Sequence, residues 1–161
     1  GYAIPAAVFG VAILLFFGTL DAVIGYYQFG GSFFALLVAY TLRFYPASVT
    51  SVESGFSKID STLDDASKLF AKSEVSSIKN VYFPQMKSFL LSGFLIVFID
   101  ISKELPATLM LRPFNFDTLA LRVYELSSNE QLSAVAAPSL ALIAISFVAL
   151  VIMGRVVKKG Y

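Results

Sequence analysis

The chain has 161 residues, 57% hydrophobic and only 14% charged, with a mean hydropathy of +0.77 and a net charge of +1. A charged share about half that of an ordinary soluble domain leaves too little polar surface to cover a core, so the composition excludes a soluble enzyme and a disordered chain and points to lipid as the solvent. Histidine and cysteine are absent, which removes imidazole acid–base chemistry, thiol catalysis, disulfides and ordinary zinc sites, and the near-zero net charge advertises no nucleic-acid surface.

Residues 1–20 carry no charge, and their core runs from Ala6 to Phe17. A spanning helix needs about 20 mostly apolar residues, so a first span is expected over about 3–20. The chain starts with Gly1, already apolar, without a basic segment or a cleavage site before a soluble body. It therefore reads as a piece of a longer membrane protein and not as a signal peptide. Phe29-Gly30-Gly31-Ser32 marks a turn, and Phe33 to Phe44 forms a second span over about 32–45, with Pro46 expected to help end it.

A polar connection follows over about 46–85. Within it Ile59, Leu63, Ala66 and Phe70 recur at spacings of four, three and four, one face of a helix over about 62–72. Asp64 and Lys68 make a favourable i,i+4 pair. A second short helix is expected over Val75 to Val81, broken by Phe83-Pro84. The amphipathic helix fits either a segment lying at the membrane interface or one docking in a groove on a cytoplasmic partner.

The next charge-free run, Ser88 to Ile99, is twelve residues and too short to cross. It spans, over about 86–111, only if it continues through Asp100, Lys103 and Glu104 to Leu111. A charge at the centre of a membrane helix costs about 2.5–3.5 kcal/mol on insertion scales. Lys103 is in i,i+3 register with Asp100, and Pro106 deprives the Ser102 carbonyl of its helical donor. Such groups either line a water-filled or protein-lined path, or the span ends near Ile101 and the charges snorkel to the interface. Asp117 is expected to cap a short helix whose Leu119, Val123 and Leu126 share a face, with Arg112 and Asp117 fixing the preceding turn. Residues 131–154 are charge-free and give a last span over about 133–154.

Four crossings result, the third atypical. Arg43, Lys58, Lys68, Lys72, Lys79, Lys87, Arg155, Lys158 and Lys159 fall on one side, against Lys103, Arg112 and Arg122 on the other. That bias puts the 46–85 loop and both ends in the cytoplasm. Tyr2, Tyr26, Tyr27, Tyr45 and Tyr82 sit near predicted interfaces, where tyrosine is common. No phosphate-binding Gly-x-x-x-x-Gly-Lys loop, nucleophile elbow or pair of carboxylates on a soluble face is present. The chain is read as a non-enzyme, with no catalytic residue, no cofactor and no metal site of its own.

Two stretches carry a family resemblance. Asp65-Ala66-Ser67, three residues, Ala71, nine residues, Val81, Tyr82 and Phe83-Pro84 reproduce the spacing of the "EAA" loop of permeases of binding-protein-dependent ABC importers. Ala66 and Pro84 match by identity, and the other positions by size or apolarity. Lys103-Glu104-Leu105-Pro106-Ala107-Thr108, then Leu111-Arg112-Pro113-Phe114 and Phe116-Asp117-Thr118-Leu119-Ala120, are very similar to iron(III)-type permeases. The resemblance extends over essentially the whole chain. It implies the C-terminal part of an all-α, polytopic helical bundle in the bacterial inner membrane. Asp65, Ala66, Ser67, Ala71, Val81, Phe83 and Pro84 would couple it to an ATP-binding cassette subunit. Lys103, Glu104, Pro106 and Thr108 would lie on the translocation path. The other implied partners are a periplasmic substrate-binding protein, a second permease half or copy, and membrane lipid. The expected cargo is iron(III), with thiamine or a polyamine as other cargoes of related permeases. A membrane scaffold that anchors a cytosolic protein without transporting anything is the alternative, but it has no use for costly polar groups at depth.

Overall fold

The computed structural model describes residues 3–25, 29–58 and 74–159. Asp65, Ala66, Ser67 and Ala71, with the helix expected over 62–72, lie outside these residues. The described residues are helical and contain no strand.

Helix α1 (Ala6–Ile24) follows Pro5 and ends at Gly25, whose φ of 77° lets its N–H reach back to the Asp21 carbonyl at 2.9 Å. Helix α2 (Phe33–Phe56) does not end at Pro46 but runs ten residues beyond it. A proline removes one ladder bond, and a helix survives that loss where its continuation is packed. Here the residues after Pro46 lie against the helix that follows: a Cβ on Gly93 would come within 2.7 Å of Ser51 Cβ, and one on Gly55 within 3.0 Å of Phe89. Close approach through small residues is the usual way for helices to associate in lipid.

The expected break at Phe83-Pro84 is also absent. Helix α3 (Glu74–Ser77), a π-helical turn (Ile78–Tyr82) and helix α4 (Phe83–Ser102) follow one another directly. The wider turn sends the Phe83 N–H to the carbonyl of Ile78, five residues back. That rearranged ladder accommodates the proline that follows it. Val75–Ser102 is thus a single rod of 28 residues, about 40 Å long and enough for a hydrocarbon core of about 30 Å. The third span therefore gains length from residues before Ser88, while helix stops at Ser102 and resumes at Pro106. Helices α5 (Pro106–Leu111), α6 (Leu119–Ser128) and α7 (Leu132–Lys159, through Pro138) complete the described elements. Among the described residues, four helices are long and apolar enough to cross a membrane: Ala6–Ile24, Phe33–Phe56, Val75–Ser102 and Leu132–Lys158.

The chain forms two compact units, one from Gly1–Pro46 and Phe98–Val148, the other from Ala47–Val97 and Ala149–Tyr161. In the first, Leu36, Ala39 and Leu111 are the buried centre, covered by Phe9, Ile13, Leu14, Tyr40 and Phe116. Gly10 admits α5 against α1: a Cβ there would stand 3.2 Å from Ala107 Cα. Asp21, only 3% exposed, accepts the backbone N–H groups of Phe29 at 3.0 Å and Gly30 at 2.7 Å and so fixes the end of the α1–α2 connection. In the second unit, a cavity of about 270 Å³ lies beside the α2–α4 contact, lined by Ser48, Ser51, Val52, Leu90, Gly93, Phe94 and Val97. Leu140, Ile143 and Phe147 of α7 stay exposed, as suits a helix solvated by lipid.

Candidate functional site

The chain between α4 and α5 is where helix gives way to irregular backbone. The last turn of α4 closes with the Glu104 N–H on the Ile101 carbonyl at 3.1 Å, and Leu105 leads into α5 with Pro106 in its first turn. Proline suits that position because its missing N–H is one the helix start leaves unbonded anyway. The Glu104 side chain takes over part of the capping: its Oε1 accepts the Ala107 N–H at 3.1 Å.

Glu104 is 9% exposed, and its partner is Arg43 of α2, whose side chain is 14% exposed. Arg43 Nε stands 3.4 Å from Glu104 Oε2, and Arg43 Nη1 donates to the Ile4 carbonyl at 3.1 Å. The guanidinium carbon lies 6.0 Å from the Phe44 ring centre. One turn into α5, the fully buried Thr108 donates its hydroxyl to the Glu104 carbonyl at 2.8 Å. A threonine hydroxyl has a single proton, so in the 2.5 Å contact between Tyr40 and Thr108 the tyrosine is the donor. Backbone and side chain of Glu104 are thus held from α2 and α5 together.

The position of Arg43 gives this cluster its weight. It lies ten residues into α2 and thirteen from the end, about 15 Å and 20 Å along the axis. Sequence alone places it at the mouth of the loop, with Pro46 ending the helix; in the structure α2 continues to Phe56. A charge so far from either end of its helix loses hydration that its attraction to the partner carboxylate only partly restores. The extra hydrogen bonds to Ile4 and Ala107 offset part of that loss. Removing one member of such a pair strands the other, at about 3–5 kcal/mol.

Of the four residues expected on a path, the structure brings Glu104 and Thr108 together and leaves Lys103 and Pro106 outside. Lys103 is 58% exposed and pairs with Asp100 at 3.1 Å, and Pro106 faces outward. Tyr40 and Arg43 are the members that sequence reasoning missed. Their signal was the spacing Leu36, Ala39, Tyr40, Arg43, one helical face running through buried small residues. Of the described coupling candidates, Val81 falls in the π-helical turn, while Phe83 and Pro84 open α4 with exposed side chains.

The turn after α5 differs in one detail from expectation. Thr118, not Asp117, caps α6, accepting the Leu121 N–H at 3.2 Å, and Asp117 is held by Arg112 at 2.8 Å. The extended backbone of Thr118 suits an N-cap, and the guanidinium competes successfully for the carboxylate. Arg112 also reaches Glu125 at 2.9 Å, which ties the turn to α6. The α6 face that is buried carries Ala120, Leu121 and Leu126, whereas Leu119 points outward.

Residues 1–159 match the family described as the binding-protein-dependent transport system inner membrane component. An Fe(3+)-transport system permease protein, FbpB 2, of Haemophilus influenzae is 23% identical over 145 residues, 90% of this chain and 28% of that protein. A putative 2-aminoethylphosphonate transport system permease protein, PhnV, of Salmonella typhimurium is 22% identical over 157 residues, 98% of this chain and 57% of that one. A ferric transport system permease protein, FbpB, of Actinobacillus pleuropneumoniae is 26% identical, with 89% of this chain and 22% of that protein covered. The chain therefore spans between about a fifth and somewhat over half the length of these relatives. With a family match along nearly its whole length and four helices able to cross a bilayer, the chain belongs to the binding-protein-dependent transport system inner membrane components.

Proposed function

We propose that the chain is the C-terminal part of an ABC importer permease that passes iron(III), delivered by a periplasmic binding protein and driven by a separate ATP-binding cassette subunit. The observation that carries the transport reading is the buried Arg43–Glu104 pair at an interrupted helix. A scaffold that only anchors a cytosolic protein gains nothing from an ion pair between a guanidinium deep in α2 and a carboxylate in the break between α4 and α5. A chain that must let a polar solute past needs polar backbone and side chains at depth.

In this reading the 46–85 loop and both ends face the cytoplasm, and Asp65, Ala66, Ser67, Ala71, Val81, Phe83 and Pro84 meet the ATPase. Glu104 and Thr108 border the path, which a second permease half or copy completes. Lys103 pairs with Asp100 at its rim. Iron(III) is favoured because two of the relatives named above are ferric permeases and because of the Lys103–Asp117 resemblance. Selection of the cargo then rests mainly with the binding protein. A second cargo, 2-aminoethylphosphonate, is supported by the PhnV relative, of which this chain covers 57%.

The test is uptake into proteoliposomes that contain the complete permease, its ATPase and its binding protein. ATP-dependent accumulation of ferric iron supports the proposal. Accumulation of 2-aminoethylphosphonate alone replaces the cargo, and failure to move any solute while the loop still binds the ATPase returns the scaffold reading.

A further inference from the structure

We infer that Arg43 is a positioning residue that latches the interruption between α4 and α5 shut. The inference deepens the transport reading and rests on it for the meaning of the closed and open states. Three separate stretches of chain meet at this one guanidinium: the segment before α1 through the Ile4 carbonyl at 3.1 Å, α2 through its own backbone, and the α4–α5 interruption through Glu104 Oε2 at 3.4 Å.

The distances matter. A charge-assisted hydrogen bond between guanidinium and carboxylate normally closes to about 2.7–2.9 Å. At 3.4 Å the approach of Arg43 Nε to Glu104 Oε2 is a Coulombic contact and not a closed hydrogen bond, strong enough to hold in a dry setting. The interruption, by contrast, is well made locally: Ala107 N–H on Glu104 Oε1 and Thr108 hydroxyl on the Glu104 carbonyl. These bonds travel with α5 and survive a shift of α5 relative to α2. Two polar ties from α2 do not, Arg43–Glu104 and the Tyr40–Thr108 hydroxyl contact. The Arg43 tie is the charged one, and it also reaches the segment before α1. Parting Arg43 from Glu104 therefore loosens α5 against α2 as a preformed piece, with Glu104 still capping its helix and Tyr40 as the remaining polar tie.

The experiment uses the full permease complex in lipid nanodiscs, in a cysteine-free background carrying Leu105→Cys, a half-buried position at the start of α5. The readout is the rate of reaction with a soluble thiol reagent. Without nucleotide, the latch predicts slow labelling that Arg43→Ala accelerates by about tenfold, equivalent to about 1.4 kcal/mol of lost closure. Labelling of Ser127→Cys, exposed on α6, should be unmoved. Glu104→Gln should accelerate labelling at Leu105→Cys too, and the Arg43→Ala/Glu104→Gln pair should fall short of the product of the two single effects. Should Arg43→Ala not assemble, Arg43→Lys carries the test, since a point charge cannot hold Ile4 and Glu104 as the fork does, and an intermediate rate is expected. A wild-type rate in the substituted complex, or fully multiplicative single effects, overturns the latch. The change of the wild-type rate on adding ATP tests the transport reading separately. Nucleotide-independent labelling with a working Arg43 effect defeats the coupling to ATP and leaves the latch standing.

Discussion

Thr108→Val is the substitution that most directly interrogates the buried cluster. Valine has nearly the shape of threonine, so the fully buried site is neither emptied nor overfilled, and only the hydroxyl is lost. That hydroxyl accepts from Tyr40 at 2.5 Å and donates to the Glu104 carbonyl at 2.8 Å. Its loss strands the tyrosine O–H, at about 2 kcal/mol, and removes the bond to the carbonyl, at about 1 kcal/mol, so about 3 kcal/mol together. Tyr40→Phe is milder, about 1 kcal/mol, because Thr108 keeps its bond to Glu104. In the Tyr40→Phe background, Thr108→Val removes only the bond to the carbonyl, again about 1 kcal/mol. The single changes then sum to about 4 kcal/mol and the double change costs about 2, a coupling of about 2 kcal/mol. Equilibrium unfolding of the purified complete permease in mild detergent measures all four corners of the cycle. Singles that add to within about 0.3–0.5 kcal/mol, the behaviour of independent sites, would refute the hydroxyl chain and with it the assignment of Tyr40 as donor.

Three further outcomes are expected. Gly93→Val should lower the thermal midpoint through about 1–3 kcal/mol of overpacking, since even a Cβ would stand 2.7 Å from Ser51 Cβ, whereas Gly154→Ala, with nothing within 4 Å, should leave it unchanged; equal midpoints would contradict the α2–α4 contact. Asp21→Ala strands the Phe29 and Gly30 amides at about 2–4 kcal/mol in total and should speed hydrogen exchange at Gly30 more than Asp21→Asn does; unchanged exchange would count against the clamp. Ala66→Arg, on the apolar face read from the sequence, should abolish ATPase stimulation by the permease while insertion stays normal, and intact stimulation would sink the docking proposal.

The membrane character and the number of spanning helices were legible because lipid imposes a length and a polarity that composition reports directly. Glu104 and the proline after it were also conspicuous, since an acidic residue near the end of an apolar run needs a reason. Arg43 was not. A proline three residues later carries a strong local signal for a helix end, and only the packing of Ser51 on Gly93 and Gly55 on Phe89 overrides it. The same blindness applied at Pro84, where a π-helical turn absorbs what an α-helical ladder would not. Both misses have one origin: proline rules describe an isolated helix, and these helices have neighbours or an altered ladder. Thr118 lost out to Asp117 as the expected cap because the pull of Arg112 on the carboxylate is a tertiary effect.

The turn at Ile78–Tyr82 also sets the angular phase of the rod. A residue added to a helix without lengthening it by a full turn swings everything on one side through about 100° about the axis, the angle one residue occupies at 3.6 per turn. Val75 and Ser76 therefore look out in directions that a straight α-helix from α4 would not give them. Deleting one residue within this turn would leave α4 untouched and swivel the preceding face by that angle. The membrane segment and the stretch leading into it are in this sense indexed independently, and the aim of one can be reset without disturbing the seating of the other.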